Sequence, residues 1–263
     1  MQIDVSDRNV FYGTGSGSPA PDAEAIIFLH GAGMDHSVWV MPARYFARHG
    51  FRVVAPDLPG HGKSAGPALT SISAMSDWVI ELQEALNLSN SSLVGHSMGS
   101  LISFATAARY PARINKIALL GTANPMPVSD GLLDAARDND HAAFAVANTW
   151  SHSATGRLGS SGNPGNSNLN TGMRLLERVA DGVYHTDLSA CNDFTAADFG
   201  TWGKTPALVV AGTGDQMTPA RSGLKVAASI PNCTNIVLEG CGHSMLSEQP
   251  NEVLDALAGF LNA

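Results

Sequence analysis

The residues best placed to do chemistry are 95–99, which read Gly-His-Ser-Met-Gly. They follow a short apolar run and open a stretch with a helical pattern, residues 98–109. A strand that enters a helix through Gly-x-Ser-x-Gly is a nucleophile elbow, because the serine sits in a strained turn where side chains two residues before and after it would collide. The pattern predicts Ser97 as a nucleophile, with the backbone N–H of Met98 aimed at a developing oxyanion.

Three further motifs each follow a β-patterned run: His-Gly-Ala-Gly at 30–33, Gly-Thr-Gly-Asp at 212–215 and Gly-Cys-Gly-His-Ser at 240–244. A neutral serine hydroxyl needs a base when it attacks. His243 is the candidate base, because an imidazole can accept a proton near neutral pH and return it to the leaving group. Asp215 is predicted to hold that imidazole in the correct tautomer and to stabilise the imidazolium that forms.

The loop at 30–33 consists of small residues after its histidine, as a loop that approaches a substrate closely must. It predicts a second oxyanion donor in the backbone N–H of Ala32, with Gly33 as the other choice. We also expect Gly31 and Gly33 to contact the substrate.

The order of the three candidate side chains along the chain is Ser97, Asp215, His243, as in α/β-hydrolases. With all four motifs in this order, the chain resembles the α/β-hydrolase superfamily and, within it, compact bacterial hydrolases of the serine esterase kind. The resemblance covers nearly the whole chain apart from about residues 123–201. It implies a mostly parallel, eight-stranded sheet flanked by helices, with a mainly helical cap.

The pattern along the chain agrees with this expectation. From residue 25 onward, strand-like and helix-like stretches alternate, which is typical of a parallel sheet covered by helices on both faces. We expect a core in two parts, residues 1–122 and 202–263, and an insert at 123–201 that the resemblance implies is a cap over Ser97.

Within the insert, residues 129–148 and 173–179 are predicted helices. Residues 151–172 are rich in Gly, Ser and Asn and are not expected to order firmly. Phe144 and Trp150 are predicted to line an apolar acyl pocket.

Composition excludes several classes of protein. The net charge is −8 with only 14% charged residues, and no Lys/Arg cluster is present to bind nucleic acid. The first residues lack a basic region followed by an apolar stretch, and no run of about 18 apolar residues exists, so we expect a cytoplasmic chain without a membrane span. The three cysteines lack metal-ligand spacing and no dinucleotide loop is present, so neither a metal nor a cofactor is expected.

The predicted function is a serine hydrolase that cleaves a carboxylic ester or related acyl compound, with a small-molecule acyl substrate as partner; the oligomeric state stays open. A serine at the elbow argues against the dehalogenases and epoxide hydrolases of the superfamily, which use aspartate. Lactonase, carbon–carbon bond hydrolase, amidase and perhydrolase activities share the same triad and stay open. A non-catalytic small-ligand receptor is the alternative of a different class. Asp187 and Asp193 are rival carboxylates for Asp215.

Overall fold

One sheet runs through the computed structural model, which describes residues 1–20, 22–159, 167–195, 197 and 202–263. Its strands are β1 Gln2–Val5, β2 Arg8–Gly13, β3 Ala25–Leu29, β4 Arg52–Pro56, β5 Ser91–His96, β6 Ile114–Leu120, β7 Ala207–Gly212 and β8 Cys233–Leu238. Their order across the sheet is β1-β2-β4-β3-β5-β6-β7-β8. Strand β2 pairs antiparallel with both β1 and β4, and every other pair is parallel. The prediction of a mostly parallel, eight-stranded α/β sheet is confirmed.

The central strands are continuous apolar runs because both faces of the sheet are covered. In β3 every residue is buried. Ile27 and Leu29 belong to the core on one face, whereas Ile26 and Phe28 belong to the core on the other. Alternate side chains of a strand point to opposite faces, so a strand between two layers of helices has no polar side.

The described residues contain eleven α-helices: α1 Val40–Arg48, α2 Ile72–Ala85, α3 Met98–Arg109, α4 Asp130–Arg137, α5 His141–Ser151, α6 Ala154–Arg157, α7 Asn168–Leu176, α8 Val183–Asp193, α9 Ala220–Ser229, α10 Met245–Glu248 and α11 Pro250–Leu261. Helices α2, α3 and α9 pack on one face of the sheet, and α1 and α11 pack on the other. None of the helices described is both long and apolar enough to cross a membrane.

Helices α4 to α8 lie between β6 and β7, in the insert (residues 123–201). The predicted helix at 129–148 is wrong in one respect: it is two helices, α4 and α5, separated by a turn in which Asn139 has a φ of +52°. The expectation of little order at 151–172 is wrong at both ends, where α6 and the start of α7 form; residues 160–166 lie outside the described residues. Helix α8 was not predicted. The boundaries of the insert stay a prediction.

A small apolar cluster holds the insert helices together. Its buried members come from α4, α5, α7 and α8: Leu132, Ala136, Ala143, Ala147, Leu176, Tyr184 and Leu188. Ala32, in the loop after β3, packs against this cluster. The insert therefore packs against the loop that follows β3.

Candidate active site

Ser97 occupies the turn between β5 and α3. Its backbone has φ 54° and ψ −119°, a conformation that L-residues rarely adopt. A Cβ on Gly95 would lie closer than 3.0 Å to the backbone of Gly99, and a Cβ on Gly99 would be equally close to the carbonyl oxygen of Leu29. Only glycine fits at these two positions, so the sequence motif reflects the sharpness of the turn.

His243 and Asp215 meet at the same edge of the sheet. Asp215 follows β7, His243 follows β8, and the distance from His243 Nδ1 to Asp215 Oδ2 is 2.8 Å. Since a carboxylate can only accept, Nδ1 carries the proton, and neutral His243 keeps Nε2 as an acceptor. The hydroxyl of Thr218 also donates to Asp215 Oδ2, at 2.7 Å, and the N–H groups of Met217 and Thr218 donate to Oδ1 at 2.9 and 2.8 Å.

These contacts determine the charge of Asp215. Burial alone would raise the pKa of its carboxyl group, but the charge and hydrogen bond of His243 and the hydrogen bonds of Thr218 outweigh burial and lower that pKa below its usual value. Asp215 is therefore a carboxylate held against the imidazole, which is the arrangement that supports an imidazolium.

The rival carboxylates lie elsewhere. Asp187 is buried against His61, with 2.8 Å between its Oδ2 and Nε2 of that histidine. Asp193 is exposed at the end of α8. Among these three carboxylates, Asp215 is the one that contacts His243.

Ser97 and His243 line one cavity of about 240 Å³. The cavity walls come mostly from apolar side chains of the insert and the loops at the sheet edge: Ala32, Met34, Met126, Pro127, Val128, Leu132, Ala147, Trp150, Leu176, Leu188, Cys191 and Met217. Its remaining lining residues are Ser129, Ser151, Tyr184, Gln216 and Thr218. No Lys, Arg, Asp or Glu stands among the described residues that line it. The cavity suits a neutral group with a single reacting polar end.

The loop after β3 reaches the cavity through Ala32. Within the described residues, neither the N–H of Ala32 nor that of Met98 donates to a backbone or side-chain acceptor, and Met98 begins α3, where the first N–H groups lack helical partners. Gly31 is tightly packed, since a Cβ there would lie 3.2 Å from Cβ of Ser97. The N–H of Gly33 donates to Asp187 Oδ2 at 2.8 Å. Gly33 lines a neighbouring cavity, and neither Gly31 nor Gly33 is among the residues that line the cavity of Ser97.

Of the two aromatic residues predicted to line the acyl pocket, one lines the cavity and the other does not. Trp150 lines the cavity and is 45% exposed. Phe144 does not line it; its ring packs 5.3 Å from that of Tyr184 and faces a separate small cavity. Residues six apart on an α-helix are about 120° apart around its axis, so one face of α5 cannot present both side chains to the same cavity. The structure therefore does not bring Phe144 to the cavity that Ser97 lines.

His96 is a supporting residue that the motif did not reveal. Its Nε2 donates to the carbonyl oxygen of His243 at 2.8 Å, and the two rings lie 4.8 Å apart. Burial, together with the nearby charge of His243, lowers the pKa of His96 to about 3. A neutral His96 therefore fixes the backbone carbonyl of His243, the candidate base.

Asp57 holds a turn beside the site. The N–H and Nδ1 of His36 both lie 2.7 Å from Asp57 Oδ1, and the N–H of Lys63 donates to Oδ2 at 2.9 Å. Asp35, His36 and Asp57 are the one group of three metal-type ligands found among the described residues. The oxygens of Asp57 already accept these hydrogen bonds, and Asp35 pairs with Arg178 at 2.5 Å.

Residues 24–250 match the family described as alpha/beta hydrolase fold, and the chain belongs to this family. It is similar to (E)-2-((N-methylformamido)methylene)succinate hydrolase of Acinetobacter baylyi, with 27% identity over 91% of each chain. It is also similar to 3-oxoadipate enol-lactonase 1 of the same organism, with 25% identity over 92% of this chain and 90% of the relative. In structure it is similar to an enol-lactonase from Burkholderia xenovorans, with a TM-score of 0.88, 23% identity and complete coverage of both chains.

Proposed function

We propose that the protein is a serine hydrolase that cleaves a carboxylic ester or related acyl compound through an acyl-enzyme on Ser97. The observation that carries the proposal is that Ser97 and His243 line one cavity, while Nδ1 of His243 is hydrogen-bonded to Asp215. The strained backbone of Ser97 supports it, because such strain persists where function requires it.

The chemistry follows from these positions. The hydroxyl oxygen of Ser97 attacks the acyl carbon as its proton passes to Nε2 of His243. The N–H groups of Ala32 and Met98 donate to the resulting oxyanion, and each such donor contributes about 10²–10³ in rate in enzymes of this type. His243 then protonates the leaving oxygen, which leaves an acyl-enzyme. A water molecule, deprotonated by His243, attacks that ester, and the proton returns to Ser97 as the acid departs.

The cavity supports a neutral, apolar acyl group as the substrate class. The two Acinetobacter relatives are named for a substituted methylenesuccinate and for an oxoadipate enol-lactone, and a pocket that buries the free carboxylate of such a compound needs a cation to pair with it. The lining residues described here include no Lys or Arg. A buried carboxylate without a partner costs several kcal/mol, so we infer that this chain hydrolyses short to medium apolar acyl compounds. The insert acts as the cap that sets their size.

Lactone hydrolysis is the second candidate, and the similarity to two enol-lactonases favours it. A lactone is an ester whose leaving alcohol stays tethered, so the same three side chains serve both reactions. Carbon–carbon bond cleavage and perhydrolysis use the triad as well. A receptor role is opposed by the presence of the nucleophile, base and acid together.

Covalent labelling tests the proposal most directly. A fluorophosphonate probe should label wild-type protein, with the modified peptide containing Ser97, and Ser97→Ala should abolish the label and reduce turnover by about 10⁶-fold. Ser129 lines the same cavity, so Ser129→Ala is the matched control and should keep the label. A folded Ser97→Ala protein with a tenth of wild-type turnover would exclude Ser97 as the nucleophile.

Substrate class is tested with matched acyl groups on one leaving group. The ratio of kcat/KM for 4-nitrophenyl butanoate over 4-nitrophenyl hemisuccinate should be about 100 or more, since each factor of ten corresponds to about 1.4 kcal/mol and an unpaired buried carboxylate costs several. A ratio near one would refute the neutral pocket. An acyclic ester and a lactone of equal carbon number then distinguish esterase from lactonase.

A further inference from the structure

Asp187 of helix α8 lies in the core beside the loop at residues 30–33, which carries the candidate oxyanion donor Ala32. Asp187 is fully buried. Its Oδ2 accepts the N–H of Gly33 at 2.8 Å and lies 2.8 Å from Nε2 of His61. Its Oδ1 has no hydrogen-bond partner in the described part of the chain, so Oδ2 makes both contacts. A buried carboxylate is costly unless it is paired, which makes its presence here informative.

The partner of Asp187 is a charged histidine. Nδ1 of His61 lies 3.1 Å from the carbonyl oxygen of Pro59, and Nε2 faces the carboxylate. A carboxylate and a backbone carbonyl both only accept, so with Asp187 ionised both ring nitrogens of His61 donate, as they do in the imidazolium. Burial alone would lower the pKa of His61, but the charge and hydrogen bond of Asp187 outweigh burial and raise it. His61 and Asp187 form a buried ion pair that joins the core to the insert.

The ion pair acts on the loop that carries Ala32. Gly33 follows Ala32 directly, so the carboxylate holds the peptide group that joins the two residues. The same face of α8 packs against this loop through Tyr184, since a Cβ on Gly33 would lie 2.7 Å from Cδ2 of that ring. Gly33 has a φ of +66°, in the left-handed region that glycine adopts without strain. The direction of the Ala32 N–H therefore depends on where α8 sits.

We propose that Asp187 is a positioning residue that couples the insert to the oxyanion site, by anchoring the Gly33 N–H so that the adjacent Ala32 N–H points into the cavity. The inference rests on the proposed function and extends it: the insert contributes to the chemical step as well as to the walls of the pocket. Seating α8 completes the oxyanion site, and displacing α8 dismantles it.

The proposal makes transition-state stabilisation the quantity to measure. Asp187→Ala removes the anchor, and misplacement of a catalytic donor by about 1 Å costs about 10²-fold. We expect kcat to fall about 10- to 100-fold with KM changed less than about threefold, because the oxyanion exists only in the transition state. A trifluoromethyl ketone that forms a hemiketal with Ser97 should bind more weakly by about the same factor as the loss in kcat.

Asp187→Asn is the conservative variant. Its amide oxygen can still accept the Gly33 N–H, so it should recover at least about half of the lost activity on a logarithmic scale, and it preserves the size of the side chain if Asp187→Ala folds poorly. Asp193→Asn, on the same helix but exposed, is the matched control and should keep wild-type kcat and inhibitor affinity. Circular dichroism and thermal unfolding establish that each variant is folded at the assay temperature.

The outcomes separate the two proposals. If a fluorophosphonate does not label wild-type Ser97, the proposed function fails. If Ser97 is labelled but folded Asp187→Asn and Asp187→Ala both match wild type in kcat and inhibitor affinity, the positioning role is overturned. A rise in KM at unchanged kcat would overturn it too, because Asp187 would then only shape the pocket.

Discussion

Replacing Ser97 with glycine should give a more stable protein than replacing it with alanine, and both changes should abolish activity. The backbone of Ser97, at φ 54° and ψ −119°, lies where a Cβ clashes with its own peptide groups, and glycine has no Cβ. Ser97→Ala removes the same hydroxyl but keeps the Cβ. The difference in the free energy of unfolding between Ser97→Gly and Ser97→Ala therefore isolates the strain.

The magnitude can be estimated from the conformation. A residue held in a sparsely populated backbone region costs about 1–3 kcal/mol. Glycine loses more conformational freedom on folding, which offsets about 0.5–1 kcal/mol of that gain. Ser97→Gly should therefore be more stable than Ser97→Ala by about 0.5–2 kcal/mol. For a chain of this size, 1 kcal/mol corresponds to about 2–4 °C in Tm.

Urea unfolding followed by circular dichroism gives the two free energies, provided the slopes against denaturant agree. Ser103 supplies the matched control, because it lies in the middle of α3 with its hydroxyl bonded 2.8 Å from the carbonyl oxygen of Gly99. There the sign should reverse, with Ser103→Gly about 1 kcal/mol less stable than Ser103→Ala. If Ser97→Gly is no more stable than Ser97→Ala, the turn is not strained and this argument for the nucleophile fails.

Three further predictions follow from named contacts. The pKa of Asp215 is lowered in the folded protein, so the ionised carboxylate stabilises the fold above its ordinary pKa near 3.8, and this stabilisation is lost as the pH falls through the lowered pKa. In Asp215→Asn the urea midpoint should therefore decline less steeply below about pH 4 than in wild type. The same variant should lose less kcat than His243→Ala. Trp150→Ala should change the ranking of ester chain lengths, whereas Phe144→Ala should not, and a series of 4-nitrophenyl esters compares them. Gly99→Ala should prevent correct folding or lower the unfolding midpoint sharply, because the new Cβ would overlap the backbone of Leu29; wild-type stability in circular dichroism would contradict this.

The sheet and the turns at its edge could be predicted from the sequence because local chemistry specifies them. A fully buried strand must be apolar throughout, as β3 is, and such runs are visible without a structure. Positions 95 and 99 have no room for a side chain, so both must be glycine, and this requirement is visible in the sequence. Helix α3 was predicted with the bounds that the structure shows, because the turn before it defines its first residue.

The insert could not be predicted equally well, for a physical reason. Helix α8 mixes buried Leu188 and Cys191 with buried Asp187, so its inward face carries no simple apolar pattern. The contact of Asp187 with His61 joins residues 126 positions apart in sequence. Nothing local indicates such a partner. The side-chain direction of Phe144 was missed for a related reason, because packing between helices decides which face of α5 meets the cavity.

The residues that could be predicted are the candidate catalytic residues at the sheet edge, and those that could not be predicted belong to the insert helices. Parallel strands end at one edge of a sheet, so residues that follow β3, β5, β7 and β8 are gathered there by topology alone. That is how Ala32, Ser97, Asp215 and His243 meet, and why their order in the sequence sufficed to propose the chemistry. The insert helices have no such rule. Their positions depend on contacts between residues distant in sequence, among them a small apolar cluster and the pair of His61 with Asp187. Under the proposed function, substrate size and the position of the loop at residues 30–33 therefore depend on packing between residues that are distant in sequence.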